Sequence, residues 1–228
     1  LPSYFFLHDK EWLSAKQIEV ANIIIVVDTY NPDKTSGSKL IGDLTKELVK
    51  NNKLFLICPR DKILNNFNKK NITVCNIYCG PIKSKNFYIR GFFEIFMSMI
   101  IWINVRKHIK KFKPDIFICY SPSIFFNYLC KKISKITDCK KYLILRDIFP
   151  FWVFDTGKMK NHILRKILIK YFKSFCSNFN KIGVEAKTNI NFLKGIGLKN
   201  KIEYLPNWID TKNFQKKKKL SKKIYNFI

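Results

Sequence analysis

Residues 23–27 read Ile-Ile-Ile-Val-Val, five consecutive apolar and β-branched positions. A run without polar alternation has no face to offer to water, so it fits a strand covered on both sides. Such a strand needs a sheet with helices on each face, which implies crossover connections and parallel pairing. The rest of the chain supplies partners. Further strand-like runs fall at 54–58, 72–77, 116–120, 142–145, 182–184 and 202–205. Between them lie helical stretches at 37–51, 87–112, 121–136, 160–177 and 187–194. In the first, Leu40, Ile41, Leu44 and Leu48 share one face. Ser121-Pro122 reads as a helix start, a cap followed by a residue whose missing N–H costs nothing there. The expected fold is α/β, a doubly wound and mainly parallel sheet of about seven strands. One domain at 21–206 is expected, with an amino-terminal extension at 1–20 and a linker with a basic tail at 207–228.

The 228 residues suit one large domain, and an apolar content of 47% is that of a globular core. The net charge of +27 is extreme, and it is carried by 38 lysines against five arginines. Planar, bidentate reading of phosphates and bases favours Arg, whereas Lys is a hydrated point charge. The charge therefore suits an anionic surface at low salt better than a specific nucleic-acid site. A non-enzymatic basic module that binds nucleic acid or membrane stays open as the alternative. Seven cysteines, most of them inside apolar runs such as "LFLICP", read as buried, reduced thiols of a cytosolic protein. Cys75 and Cys79 have no second pair to complete a zinc site, so neither metal nor cofactor is expected. Residues 1–20 contain no unbroken apolar core of a signal peptide.

In a parallel sheet, ligands gather at the carboxyl ends of the strands. The loop after the first strand, "DTYNPDKTSGSK", delivers Ser36, Gly37 and Ser38 to a helix start. Free N–H groups, small hydroxyls and a glycine can cradle an anion there, or simply cap the helix. The loop after the fifth predicted strand, "LRDIFPFWVFDTG", places Arg146 and Asp147 beside Phe149, Phe151 and Trp152. A carboxylate and aromatic faces suit a sugar, which offers hydroxyls at its edge and C–H groups on its faces. The other reading is an ion pair at a strand end with aromatics in the core.

Segment 28–37, "KPDIFICYSPS" at 113–123, "LRDIFPFW" at 145–152, "IGVEAKTNINFLKGIG" at 182–197 and "IEYLPNWID" at 202–210 follow one another in a recognisable order. Over about 20–210 the chain resembles the amino-terminal domain of family 4 glycosyltransferases with the GT-B fold. Within that family it resembles especially bacterial enzymes of capsule and lipopolysaccharide assembly. The resemblance implies a Rossmann-like, acceptor-side half of a metal-independent, retaining transferase. Its partners would be a nucleotide-sugar donor and a lipid-linked glycan acceptor, with no specific nucleic acid. It gives Asp147 a catalytic role, holding a sugar hydroxyl near the reacting ring, where many relatives carry His. It makes Ser36, Gly37, Ser38, Arg146 and Asn207 substrate contacts, although the usual double glycine is here a single Gly37 between serines. The family's donor half carries a glutamate pair in a glycine-containing loop. Glu11 and Glu19 share its spacing but precede the first strand and lack the glycines. The chain ends shortly after Asp210, so the expectation is an amino-terminal half that is inactive alone.

The stretch 90–113, "RGFFEIFMSMIIWINVRKHIKKFK", combines an apolar run with a basic end. Its apolar part is expected to be too short to span a bilayer, which takes about 20 residues. Two places remain for it: the core, or a membrane interface with Lys107, Lys110, Lys111 and Lys113 on lipid phosphates. With the resemblance, the second implies a protein peripheral to the inner face of the plasma membrane.

Overall fold

The computed structural model describes residues 20–121, 123–157 and 159–208. Nearly all of the expected extension, the basic tail, Glu11, Glu19, Pro122 and Asp210 lie outside the described residues. The described residues begin with β1 (Asn22–Val27), α1 (Ser36–Leu48) and β2 (Lys53–Arg60). A hairpin of β3 (Phe67–Lys69) and β4 (Ile72–Tyr78) leads into the long α2 (Phe87–Phe112). Next come β5 (Ile116–Ser121), a 3-10 turn (Ile124–Phe126), α3 (Asn127–Ile136) and β6 (Lys140–Leu145). The last described elements are α4 (Phe151–Asp155), α5 (His162–Cys176), β7 (Lys181–Val184), α6 (Lys187–Gly195) and β8 (Lys201–Tyr204).

The eight strands form one sheet in the order β3-β4-β2-β1-β5-β6-β7-β8. Every pairing is parallel except β3 with β4. The short β3, exposed throughout, is the strand beyond the expected seven. Its three residues have no apolar pattern to announce them. β1 lies in the middle, with Ile23 opposite Leu54 on one side and Ile116 on the other. From β1 the chain moves towards β2, and from β5 it moves the other way, towards β6. The switch point therefore lies between the carboxyl ends of β1 and β5.

β1 is buried on both sides, as its composition requires. Ile24 and Val26 join the core beneath α2, α3, α5 and α6. Ile23, Ile25 and Val27 join a second core covered by Ile41, Leu44 and Leu48 of α1. Trp208 also packs there, and its indole N–H donates to the Leu40 carbonyl at 3.0 Å. Residues 205–208 of the "LPNWID" segment thus return the chain to α1 after the last described strand. All seven cysteines are free and buried.

Helix ends follow local chemistry. Thr35 caps α1, Asn86 caps α2 and Asn161 caps α5, each accepting backbone N–H groups of the first turn. Ser121, expected as a cap, is the last residue of β5. The following turn is capped by Ser123, whose Oγ accepts from Phe125 N at 3.3 Å.

The long helix corrects one expectation. Tyr88–Phe112 is long and apolar enough, by length and composition, to cross a membrane. Near its start, Arg90 and Glu94 pair with each other at 2.9 Å. Its stripe of Met97, Ile101, Val105 and Ile109 is nevertheless sunk in the core. The helix belongs to the domain on one side and is bare on the other.

Two glycines make a paired test of this packing. A Cβ on Gly183 in β7 would lie 2.3 Å from the Tyr142 hydroxyl and 2.9 Å from Leu205 Cδ2. That hydroxyl is held by Glu203 at 2.6 Å and cannot easily yield. Gly183→Ala should cost about 1–3 kcal/mol, a fall in Tm of roughly 3–10 °C. Gly91, inside α2, has open space at its Cβ. Gly91→Ala should raise stability by about 0.5–1 kcal/mol through helix propensity. Thermal melts showing the same sign for both would contradict this packing.

Candidate substrate cleft at the carboxyl ends of the strands

The loop between β1 and α1 is held from below by one arginine. Arg60, at the end of β2, is 1% exposed. Its guanidinium donates to the carbonyls of Tyr30 at 3.0 Å and Asn31 at 2.7 Å, and to Asn76 Oδ1 at 2.8 Å. It also pairs with Asp33 at 2.9 Å, and Lys83 approaches the same carboxylate at 3.0 Å. Desolvation acts to raise the Asp33 pKa, but the bonds from Lys83 and Thr29 and the charges of Lys83 and Arg60 together hold the group below its usual value. A buried guanidinium with four of its five N–H groups bonded makes this loop a fixed platform.

That platform carries Ser36, Gly37 and Ser38. Gly37 is buried, and a Cβ there would lie 3.0 Å from Thr29 Cγ2 and 3.1 Å from the Tyr120 hydroxyl. The glycine is thus required by close approach between α1 and the end of β5. Ser38 is buried and its N–H goes to Thr35 Oγ1 at 3.1 Å, whereas Ser36 is exposed. First-turn N–H groups have no intrahelical acceptor, and those of Ser36 and Gly37 belong to the helix start that follows β1.

Asp28, the first residue after β1, stands at that point. Its Oδ1 is shielded from water and has no hydrogen-bond partner. Burial pushes its carboxyl up to about 6; its own backbone N–H and Lys83 oppose the rise, and Asp147 and Asp33 add to it. Burial likewise pushes Tyr120 up to about 12, so it stays a neutral hydroxyl.

On the other side, Arg146 leaves β6 and pairs with Glu185 beyond β7 at 2.9 Å. The expected alternative, an Arg146–Asp147 ion pair, is not the one formed, because Glu185 reaches the guanidinium from the neighbouring strand. Asp147 is exposed. It stands at a cleft of about 600 Å³ between α4 and α6. Trp152, Phe151 and Phe192 wall this cleft, with Asp155 and Asn189 among its polar groups. The Phe151 and Phe192 rings meet edge to face, 4.9 Å between centroids. Apolar ring faces beside carboxylates and an amide suit a polyhydroxylated ligand.

The structure therefore brings Gly37, Tyr120 and Asp28 together, and sets Arg146 and Asp147 beside them at the aromatic cleft. Asn207 is exposed on the turn before Trp208 and does not line that cleft. Lys107, Lys110, Lys111 and Lys113 are exposed at the far end of α2, by the amino ends of the strands. Sequence reasoning missed Asp28, Tyr120, Glu185 and Asp155. Asp28 had a usable signal, being the first charge after a strand buried on both sides. Among the described residues, no three His, Cys, Asp or Glu side chains are grouped to hold a metal ion.

No family model and no curated protein matches the sequence. Solved structures do match in shape. The fold is one half of a GT-B architecture. The chain superposes on sucrose-phosphate synthase from Thermosynechococcus elongatus with a TM-score of 0.56 and 5% identity, over 81% of this chain and 47% of that one. For Phytolacca americana UGT2, complexed with UDP-2-fluoro-glucose and pterostilbene, the TM-score is 0.55 and the identity 9%, over 83% and 55%. For the amino-terminal domain of Candida albicans trehalose-6-phosphate phosphatase they are 0.58 and 11%, over 87% and 51%. The chain spans about half the length of these structures, and at such identities the likeness is one of fold.

Asp28 yields a test with a definite sign. A carboxyl raised from 3.8 to about 6 keeps its proton longer in the folded state. Its contribution to stability is therefore present near pH 4 and is lost as pH rises through about 6. Asp28→Asn should raise stability at pH 7.5, by about 3 kcal/mol at most, and should change little at pH 4. Melts across this range check it; a loss of stability at pH 7.5 would mean that a cation holds the ionised group.

Proposed function

We propose that the chain is the acceptor-side, amino-terminal half of a retaining glycosyltransferase of family 4, of the capsule and lipopolysaccharide type. It takes part in moving a sugar from a nucleotide-sugar donor to a lipid-linked glycan, at the inner face of a bacterial plasma membrane. The observation that carries this reading is the aromatic and carboxylate-lined cleft at the carboxyl ends of β6 and β7, beside the switch point of a GT-B half. The complex of Phytolacca UGT2 with UDP-2-fluoro-glucose supports a nucleotide sugar as the donor class.

In this reading the acceptor sugar rests against Trp152 and Phe192, with its hydroxyls directed at Asp147. The donor lies between this half and a donor-binding half. The acceptor oxygen bonds to the anomeric carbon as the bond from that carbon to the diphosphate breaks. The hydroxyl proton passes to the departing phosphate oxygen, so Asp147 need not abstract it. Asp147 positions the nucleophile and faces the positive charge that builds on the donor ring, a contact whose value grows as water is excluded. In this reading the first-turn N–H groups of Ser36 and Gly37 meet donor oxygens.

In an enzyme that includes a donor-binding half, Asp147→Asn should lower turnover by roughly ten- to a thousandfold, the loss of a charged contact of about 1.5–4 kcal/mol. Circular dichroism should be unchanged, because the side chain is exposed and Asn is isosteric. Normal turnover in that variant would remove Asp147 from the mechanism.

The membrane part rests on the exposed basic end of α2. The chain should co-sediment with anionic vesicles and not with neutral ones, since each basic residue near an anionic surface contributes about 1 kcal/mol. Changing Lys107, Lys110, Lys111 and Lys113 together to Gln should weaken sedimentation. Unchanged binding would move the contact elsewhere on the chain.

A further inference from the structure

The uncovered side of α2 is not a random scatter of apolar residues. Tyr88, Phe92, Ile95, Met99 and Ile103 are 85%, 58%, 62%, 44% and 57% exposed. Ile89 and Phe96, 44% and 41% exposed, flank them. At about 100° per residue these seven fall on one arc, opposite the buried stripe of Met97, Ile101, Val105 and Ile109. The same arc continues into Arg106, Lys107 and Lys110, all exposed. The strip is therefore apolar for about 22 Å and then basic.

Its direction follows from the topology. α2 leaves the carboxyl end of β4 and delivers the chain to the amino end of β5. Its apolar end is thus at the cleft end of the domain and its basic end at the opposite one. α5 runs the same way, from the carboxyl end of β6, and its first turns expose Ile163, Leu164 and Ile167. The two helices adjoin through the 3-10 turn. Ser98 of α2 donates to the Phe125 carbonyl, and the Phe125 ring lies 6.4 Å from that of Tyr171 on α5.

From this we infer that the domain lies obliquely on an anionic bilayer, with the first turns of α2 and α5 dipping into the acyl boundary, the cleft opening at the headgroups and the basic end of α2 resting on lipid phosphates. The inference rests on the membrane reading above and adds to it the orientation and the route: a lipid-borne acceptor enters the cleft from the bilayer side, past these two helix starts. Three features select this occupant. Apolar side chains that grade into lysines match acyl chains that grade into phosphates. A net charge of +27 attracts an anionic surface and opposes pairing with a second copy. A spanning arrangement is disfavoured because it would pull Met97, Ile101, Val105 and Ile109 out of the core.

Depth measurements test the orientation without any transfer assay. All seven native cysteines are buried, so single cysteines at Phe92, Met99, Arg106 or Ile163 can carry a nitroxide label selectively. On vesicles of phosphatidylglycerol and phosphatidylcholine, oxygen and nickel accessibilities should place Phe92→Cys and Ile163→Cys deepest, Met99→Cys shallower and Arg106→Cys at the headgroups. A flat or reversed gradient would overturn the orientation while leaving membrane binding intact. Failure of the unlabelled chain to bind these vesicles would overturn both. Sedimentation velocity without lipid should show a monomer; a dimer dispersed by Phe92→Ser would assign the strip to self-contact and overturn the inference.

Discussion

Everything in this molecule is arranged around a central strand that cannot tolerate water on either side. β1 has apolar side chains above and below, so helices must cover both faces of the sheet. Covering both faces requires the chain to leave the middle of the sheet in opposite directions, towards β2 from β1 and towards β6 from β5. Two connections that diverge leave a gap where they part. Asp28, Gly37 and Tyr120 meet in that gap because a strand buried on both sides put them there. The binding geometry is a by-product of a burial problem.

Charge at this gap runs against the rest of the surface. The chain as a whole is strongly basic, yet Asp28, Asp147, Asp155 and Glu185 come together around the cleft, with Arg146 paired to Glu185. A local field opposite in sign to the global one allows two tasks to be kept apart. The long-range field draws the protein to anionic surfaces, while the short-range field near the cleft favours hydroxyl donors. Asp28 takes part in both, since its protonation depends on burial and on how many neighbouring carboxylates are charged.

What was legible in the sequence was whatever depends on periodicity. The β-branched run of β1, the one-sided helix around Leu44 and the bounds of α2 follow from side-chain pattern alone, and the mainly parallel pairing follows from crossover rules; the order of the strands does not. Gly37 and Asp147 could be singled out because they sit in loops after strands. Contacts across the sheet were not legible. Nothing in "IGVEAKT" says that Glu185 will reach Arg146, because that depends on β6 and β7 lying side by side in register. Asp28 looks like any turn aspartate until the fold buries it. The α2 stretch showed the opposite difficulty: its composition is apolar nearly all round, so only the packing of Met97, Ile101, Val105 and Ile109 reveals which side faces the sheet.

Arg60 has a consequence for how ligands would bind. Its four hydrogen bonds hold the loop before α1 in place through the protein's own groups. A glycine-bearing loop that is mobile when empty must be ordered on each encounter, which weakens affinity and slows capture. Here that entropy is lost once, during folding, and is charged to the stability of the domain. Association at this rim should then resemble a rigid docking event, with a rate set by diffusion and by the surrounding field rather than by loop closure.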